Sequence, residues 1–195
     1  NSSGVVSNAE VLKIFNLAVS HKIYFVDTAG SYGDSEKKIG FFPKRSHFEI
    51  VTKLLLDEDC DNLRTFCRNK LFCSLDDLGV SSVYGLLLHR ASDLLTEEGI
   101  KLLDILRELQ AQNFVTKIGV SIYTAKELDE ILSLFLPDIV QIPYSIADRR
   151  LELSGYIKDL RNAGIEIHAR SIFLQGLLLM QEDKLPRKFV EIRDE

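Results

Sequence analysis

Short apolar segments alternate along this chain with longer amphipathic segments, and this alternation constrains the fold more than any other feature of the sequence. The short segments have the length and continuous apolar character of buried β-strands, whereas the longer ones repeat their apolar residues at helical spacing. We predict six strands, which are "IYFVDTA", "FEIVTK", "VYGLLLHR", "TKIGVSIY", "DIVQIPYS" and "IEIHAR". A helical segment follows each of the first five strands, and another precedes the first.

The helical segments carry their own start signals. The first, over residues 9–20, is preceded by Ser7, which stands at capping-box spacing from Glu10, and it has an apolar face that we expect to be buried. Residues 149–164, "RRLELSGYIKDLRNAG", are predicted to form one helix that Asp148 caps.

Strands that alternate with helices imply right-handed crossovers and a parallel sheet, and two architectures fit that pattern. An open doubly wound sheet normally has a G-x-G-x-x-G turn after an early strand, and this chain has none. A (β/α)8 barrel instead distributes polar residues over the carboxyl ends of many strands. This chain has such residues at Asp27, Lys53, His89, Ser121, Gln141 and Arg170. We therefore predict a (β/α)8 TIM barrel, of which about six βα units are visible.

The number of strands falls short of a closed barrel. Eight strands and about 250 residues are typical of that fold, whereas this chain has 195 residues and six predicted strands. We therefore expect the chain to be part of a longer protein that supplies the first and last strands. Residues 1–195 are predicted to belong to a single barrel domain, because no linker or low-complexity segment interrupts them.

Composition argues against several classes of function. The formal charge is −5, and no cluster of Lys and Arg is interleaved with aromatic residues, so a nucleic-acid partner is not indicated. No apolar run approaches the roughly 20 residues that span a bilayer, and the N-terminal segment lacks the features of a signal peptide. We expect a cytoplasmic protein that acts on a small molecule. The sequence does not indicate an oligomeric state.

Three cysteines, Cys60, Cys67 and Cys73, lie in one predicted helix over residues 60–79. Their odd number argues against a disulfide framework, and no histidine stands at metal-ligand spacing beside them. We expect buried or half-buried thiols and no metal site.

Four residues at or just past strand ends indicate chemistry, because each is costly to bury alone: Asp27, Tyr32, Lys53 and His89. The carboxyl ends of parallel strands converge in a barrel, so these residues can become neighbours. Lys53 ends an apolar strand and needs a counter-charge, which Asp27 on the adjacent strand can supply. A nearby ammonium group lowers the pKa of a phenol, so we expect Lys53 to let Tyr32 exchange a proton at neutral pH.

The order of these residues resembles that of the aldo-keto reductases, a (β/α)8 family that reduces aldehydes and ketones with NADPH or NADH. "DTA" at residues 27–29 is followed by "YG" at 32–33 and "SE" at 35–36, and "TK" ends the next strand at 52–53. His89 ends "LLLH", and "KIGVS", "VQIPYS" and "ARSIFLQGLL" continue the similarity in order. Each signal is weak or moderate alone, but together they cover essentially the whole chain.

The resemblance implies a mechanism and a set of site residues. Tyr32 would give its proton to the carbonyl oxygen while the nicotinamide donates hydride to the carbonyl carbon. Lys53 would lower the pKa of Tyr32, Asp27 would hold Lys53, and His89 would orient the carbonyl or relay the proton. The residues that the resemblance places at the cofactor are Ser121, Gln141, Arg170 and Ser171.

The resemblance assigns Ser121 and Gln141 to the nicotinamide amide and Ser171 to the pyrophosphate. Two positions depart from the pattern of the family. Ile122 stands where the family often has asparagine and lacks the polar group for that amide contact, and Arg170 replaces the aromatic residue that commonly stacks on the nicotinamide. The planar guanidinium of Arg170 can stack in its place. NADPH is expected over NADH on the resemblance alone.

Two other classes of function stay open at this point. One is a cofactor-binding regulatory subunit that keeps the fold with little turnover, although the intact acid and base residues favour an enzyme. The other is a lysine Schiff-base aldolase, because Lys53 ends a barrel strand, where such nucleophiles occur. The pairing of Asp27 with Tyr32 favours the reductase over the aldolase.

Overall fold

Six parallel strands pair in one sheet, in the order in which they occur along the chain, in a computed structural model that describes residues 6–56, 62–181 and 184–185. Lys53 lies opposite Leu87 in this register, and Ser121 lies opposite Gln141. The strands are β1 (Phe25–Asp27), β2 (Glu49–Leu54), β3 (Val83–Leu88), β4 (Val115–Ser121), β5 (Ile139–Pro143) and β6 (Glu166–Arg170).

Seven α-helices accompany these strands within the described part of the chain. They are α1 (Asn8–Ser20), α2 (Ser35–Gly40), α3 (Leu63–Leu78), α4 (Gly99–Ala111), α5 (Ala125–Leu134), α6 (Arg150–Leu153) and α7 (Tyr156–Asn162). Short 3-10 turns lie at Arg45–His47, Ala91–Leu95 and Leu174–Leu179. Over the same residues, none of the helices combines the length and apolar character that crossing a membrane requires.

Side-chain caps explain where two of the helices begin. The Ser7 hydroxyl accepts a hydrogen bond from the backbone N–H of Glu10 at 3.3 Å, at the spacing noted in the sequence. Thr124 and Glu127 form a complete capping box at the start of α5. The apolar face of α1 packs against the core through Leu12, Phe15, Ala18 and Val19, but these side chains are only partly buried, contrary to our expectation.

The prediction of a single helix over residues 149–164 is wrong, because the segment forms two helices, α6 and α7. Gly155 lies between them with a φ of +91°, which α-helical geometry does not allow. The residue at the N-cap position of α6 is Arg149 rather than Asp148. Asp148 still lies at this helix start, where its Oδ1 accepts from the backbone N–H of Arg150 at 3.4 Å.

The cysteines of the helix predicted over residues 60–79 have different environments. Helix α3 begins at Leu63, and Cys60 lies outside the described residues. Cys67 is buried, as expected, whereas Cys73 is exposed, because it lies on the solvent side of α3.

Contacts between side chains on strands far apart in the strand order show that the sheet is strongly curled. Nε2 of Gln141 on β5 donates to Oδ1 of Asp27 on β1 at 2.8 Å. In a flat sheet these two strands would lie about 19 Å apart, at four spacings of about 4.8 Å. The rings of Phe25 on β1 and His168 on β6 are also only 5.4 Å apart. The strands thus form a curled half-barrel, which confirms the predicted (β/α)8 architecture in incomplete form.

Glu166, the first residue of β6, connects three strands across the inner face of the sheet. Its Oε2 accepts a hydrogen bond from Tyr84 Oη at 2.6 Å and forms an ion pair with Lys117. Its Oε1 lies 2.6 Å from Nε2 of His168. Although burial opposes ionisation, hydrogen bonds from Lys117, Tyr84 and His168 lower the pKa of Glu166 to about 2. These contacts help to hold the sheet in its curled shape.

The main hydrophobic core lies between the outer face of the sheet and the helices. Its fully buried members include Leu71, Leu86, Leu106, Ile122, Leu128 and Ile131. A smaller cluster on the inner face contains Val51, Leu87 and Ile139. Because Val51 and Ile139 precede Lys53 and Gln141 by two residues, this cluster forms a floor beneath the polar side chains at the strand ends.

Candidate active site

Lys53, near the carboxyl end of β2, is the centre of the site. Its ammonium group donates hydrogen bonds to Oδ1 and Oδ2 of Asp27, both at 2.7 Å, and to the backbone oxygen of Thr28 at 2.9 Å. The side chain of Lys53 is 1% exposed, whereas that of Asp27 is 44% exposed. Burial lowers the pKa of Lys53, and the Asp27 carboxylate opposes this effect. The structure thus places Asp27 where the sequence predicts a counter-charge.

Tyr32 lies over this ion pair. Nζ of Lys53 is 5.1 Å from the centroid of the Tyr32 ring, within the range of a cation–π contact. The backbone N–H of Tyr32 donates to the oxygen of Ala29 at 2.9 Å, and this turn brings the phenol back over the strand ends. Burial, followed by the Asp27 carboxylate, raises the pKa of Tyr32. The predicted lowering of this pKa is therefore wrong, because burial of the phenol and the negative charge of Asp27 outweigh the opposing charge of Arg170.

His89 directly follows β3 and stands beside Tyr32. The two rings meet edge to face with centroids 5.7 Å apart. Nδ1 of His89 lies 3.3 Å from the Ser31 hydroxyl oxygen. Burial and the charge of Lys53 lower the pKa of His89, so the imidazole is neutral at pH 7. No sequence pattern indicates the contact with Ser31, because it depends on how the bend after β1 folds.

Ser121 and Gln141 extend the polar network onto β4 and β5. The Ser121 hydroxyl donates to Oε1 of Gln141 at 3.2 Å, and Nε2 of Gln141 donates to Oδ1 of Asp27 at 2.8 Å. Both side chains are buried. Gln141 therefore orients the carboxylate that holds Lys53, a contact that the sequence does not predict. The amide of Gln141 keeps a second N–H that a ligand can use.

Arg170, at the end of β6, forms the opposite wall of the site. Its guanidinium carbon lies 4.0 Å from the centroid of the Tyr123 ring, and Nη2 donates to the backbone oxygen of Ile122 at 3.0 Å. Nε is buried and has no acceptor among the described residues. Ser171 follows in left-handed backbone, with a φ of +59°, and its hydroxyl lies 3.5 Å from Nη1 of Arg170. The side chain of Ile122 packs in the outer core, away from the site.

One cavity of about 360 Å³ is lined by all eight side chains that the sequence predicts for the site. They are Asp27, Tyr32, Lys53, His89, Ser121, Gln141, Arg170 and Ser171. Tyr123 and Gln175 also line it and are not predicted. Tyr123 follows a strand end, a position that the sequence shows without indicating the direction of the side chain. Gln175 lines the cavity from left-handed backbone, with a φ of +57°, which no short motif predicts.

A second pair of hydrogen bonds supports the ion pair from behind. Glu36 is buried and accepts a hydrogen bond from the Thr52 hydroxyl at 2.6 Å. The Thr28 hydroxyl donates to the Ser35 hydroxyl oxygen at 3.0 Å. Because Thr28 and Thr52 are the chain neighbours of the two ion-paired residues, these bonds fix the backbone on both sides of the pair.

The arrangement offers a phenol that holds a proton, a buried cation beneath it and a neutral imidazole at its edge. These groups can protonate a small molecule and stabilise the anion that the phenol becomes. A metal centre is not indicated, since no group of three histidine, cysteine or acidic residues in the described ranges could hold a metal ion.

Comparison with known proteins identifies one family. The model of the Aldo/keto reductase family matches residues 1–195 of this chain. Among curated protein sequences, none matches it.

Several solved structures have the same fold. An aldo-keto reductase from Bacillus halodurans, in its holo form, is 19% identical with a TM-score of 0.76, over 94% of this chain and 63% of that one. An aldo-keto reductase from Klebsiella pneumoniae in complex with NADPH is 18% identical with a TM-score of 0.73, over 89% of this chain and 61% of that one. A protein from Pseudomonas aeruginosa, described as an aldo-keto reductase, is 21% identical with a TM-score of 0.71, over 86% of this chain and 68% of that one. The chain spans 61–68% of the length of these three proteins, and their similarity supports the fold.

Proposed function

The chain belongs to the aldo/keto reductase family, and from this premise we propose that it reduces an aldehyde or ketone to an alcohol with hydride from NADPH or NADH. The observation that carries the proposal is the convergence of Asp27, Tyr32, Lys53 and His89 in one cavity at the carboxyl ends of the strands. Active sites of (β/α)8 barrels lie at that end. The proposal includes a small carbonyl substrate, a cytoplasmic location and a single barrel domain for residues 1–195, as the sequence predicts.

Tyr32 acts as the general acid in this proposal. Its raised pKa keeps the phenol protonated at neutral pH, so its hydroxyl carries a proton for the carbonyl oxygen. When that proton leaves, the charge of Lys53, 5.1 Å from the ring centroid, stabilises the phenolate that forms. Lys53 thus acts where negative charge develops, while Asp27 and the backbone oxygen of Thr28 hold it in position.

His89 orients the carbonyl oxygen. Nδ1 of His89 lies 3.3 Å from the Ser31 hydroxyl oxygen. In the tautomer in which this hydroxyl donates to Nδ1, the imidazole proton lies on Nε2 and can be donated to the substrate. The lowered pKa of His89 keeps the ring neutral, so that it adds no second positive charge beside Lys53. Its position at the edge of Tyr32 brings both donors to the same substrate oxygen.

The cavity suits a nicotinamide ring in size and in chemistry. Its volume is about 360 Å³, its lining is mostly polar, and the buried Nε of Arg170 lacks an acceptor among the described residues. Ser121 and Gln141 would hold the carboxamide, Arg170 would face the ring, and Ser171 would lie near the pyrophosphate. When bound, the cofactor supplies the hydride that the carbonyl carbon receives. NADPH is the first candidate because the Klebsiella pneumoniae protein is described in complex with it.

The Schiff-base aldolase is a weaker alternative. A nucleophilic lysine needs a free amine that a carbonyl substrate can reach. Lys53 is 1% exposed and its ammonium group donates three hydrogen bonds, so it meets neither condition.

This proposal can be tested by incubating the full-length protein with a panel of aldehydes and ketones and following the absorbance of NADPH. We expect NADPH oxidation that requires both the protein and a carbonyl compound, with one alcohol formed for each NADPH consumed. Tight binding of NADPH without turnover of any carbonyl compound would support a regulatory subunit instead. Trapping of a substrate adduct on Lys53 by borohydride would support the aldolase.

A further inference from the structure

The charges of the groups that line the cavity do not sum to zero. Asp27 and Lys53 form an ion pair and offset each other, and His89 is neutral at pH 7. Arg170 also lines the cavity, and its hydrogen-bond acceptors are the neutral oxygens of Ile122 and Ser171. Within the part of the chain that the structure describes, no carboxylate pairs with it. The cavity wall therefore carries one uncompensated positive charge.

Glu36 is a further carboxylate in this region, but it does not face the cavity. It acts weakly on Lys53, accepts a hydrogen bond from Thr52 and lines a separate cavity behind the ion pair. Because it lines that cavity and not the one that Arg170 lines, it is not the counter-charge of Arg170.

The charge of Arg170 is fixed in place. The guanidinium packs on the Tyr123 ring at 4.0 Å, and Nη2 donates to the oxygen of Ile122 at 3.0 Å, so two contacts hold it at the cavity wall. Its Nε is shielded from water and lacks an acceptor in the described residues. Arginine is a permanent cation in proteins, so this guanidinium supplies a fixed positive charge.

The size of the cavity decides how strongly this charge acts. A volume of about 360 Å³ corresponds to a space roughly 9 Å across. Arg170 and Tyr32 line the same space, and the charge of Arg170 opposes the rise in the pKa of Tyr32, so it reaches groups on the Tyr32 side of the cavity. At such separations, and at the effective dielectric constant of a protein site, one unit charge changes the affinity for another by on the order of tenfold.

We propose that Arg170 makes the site distinguish the two redox states of its nicotinamide cofactor, so that the neutral reduced ring binds more tightly than the cationic oxidised ring. This inference rests on the proposed function. In the reduction, the hydride leaves the neutral ring for the carbonyl carbon, Tyr32 gives its proton to the oxygen, and the ring becomes positively charged beside Arg170. The repulsion weakens the hold on the oxidised cofactor and so favours its release after each turnover.

Titration calorimetry on the full-length protein tests the inference, because it gives the dissociation constants for NADPH and NADP⁺ without requiring turnover. We expect wild type to bind NADPH more tightly than NADP⁺. In Arg170→Gln the ratio of the two constants should fall by about tenfold, mainly because NADP⁺ binds more tightly. Arg170→Lys keeps the charge and should keep most of the ratio. Arg107→Gln, which removes the same charge from the exposed outer surface of α4, should leave it unchanged.

Two results would overturn the inference. If Arg170→Gln weakened NADPH and NADP⁺ equally, or changed neither, Arg170 would have a structural role only. If Arg170→Gln failed to fold, Arg170→Lys and the salt dependence of the wild-type ratio would decide, because a charge effect must shrink as ionic strength rises. Failure of wild type to bind either cofactor would instead contradict the proposed function itself.

Discussion

Lys53 and Asp27 depend on each other unequally. The lysine side chain is 1% exposed and the aspartate side chain is 44% exposed. Loss of the carboxylate would leave a buried ammonium group with the oxygen of Thr28 as its remaining acceptor, whereas loss of the lysine would leave a carboxylate that water can still solvate. The ion pair therefore protects the lysine more than the aspartate.

This asymmetry predicts the stability of single variants. Asp27→Asn should lower the free energy of unfolding by about 2 kcal/mol, because the buried cation loses its partner, and Lys53→Met should lower it by less. Asp104→Asn, at an exposed and loosely paired site on α4, is the control and should have no measurable effect. Urea unfolding measures all three. Equal losses for Asp27→Asn and Asp104→Asn would contradict this account of the ion pair.

For the individual site residues, the sequence indicates which side chains lie together but not how they change one another's pKa. The eight predicted side chains line one cavity because each ends a strand or follows one, and parallel strand ends converge. The direction of the pKa shift of Tyr32 could not be predicted in the same way. It depends on the burial of the phenol and on its distances to Asp27 and Arg170, and a sequence pattern contains none of these.

At the scale of secondary structure, the close approach of β4 and β5 depends on one glycine. A Cβ atom at Gly119 would lie 2.0 Å from the backbone oxygen of Ile139, its partner in the register. That oxygen is part of the sheet and cannot move aside as a flexible side chain can. The glycine thus sets the spacing that places Ser121 next to Gln141 two residues further along.

Gly119→Ala should therefore destabilise the protein by about 3 kcal/mol, by forcing the two strands apart. Gly30→Ala is a suitable control, because its Cβ would approach no atom closer than 3.5 Å. Thermal and urea unfolding should separate the two variants clearly. If both were as stable as wild type, the pairing of β4 with β5 would not require a glycine at position 119.

Most elements are predictable from periodicity, and the exceptions have local causes. Apolar runs and helical spacing indicate all six strands. The division of residues 149–164 into two helices depends on the left-handed backbone at Gly155, and a glycine inside a helical pattern does not by itself determine that conformation. The partial burial of α1 depends on what packs against it, which periodicity does not show.

At the scale of the whole molecule, the curl of the sheet brings the site together. It places Gln141 in contact with Asp27, although β5 and β1 are not neighbours in the sheet. The alternation of strands and helices predicts a barrel, but it does not predict which side chains touch across the interior. Those contacts depend on the tilt and twist of all the strands together.

The contacts of Glu166 across the same interior predict a pH dependence of stability. Its pKa falls from an ordinary 4.5 to about 2 in the folded chain. The unfolded chain therefore binds more protons between these values, so this stabilisation is complete above pH 4.5 and is lost as the pH falls toward 2. The loss of unfolding free energy between pH 6 and pH 3 should be about 2 kcal/mol smaller in Glu166→Gln than in wild type. Glu130→Gln, on the surface of α5, is the control and should lose as much stability in acid as wild type. If Glu166→Gln also lost as much stability in acid as wild type, the interior contacts of Glu166 would not contribute to stability.

The proposed transfer of a proton from Tyr32 to a carbonyl oxygen can be tested by the rate of NADPH oxidation in Tyr32→Phe. With an aldehyde that the wild-type protein reduces at pH 7, we expect kcat to fall by about 100-fold or more while the dissociation constant for NADPH stays within about twofold. Tyr156→Phe is the matched control, because its hydroxyl donates to Asp129 outside the cavity, and it should keep the wild-type rate. Turnover by Tyr32→Phe within a few-fold of wild type would show that another group delivers the proton.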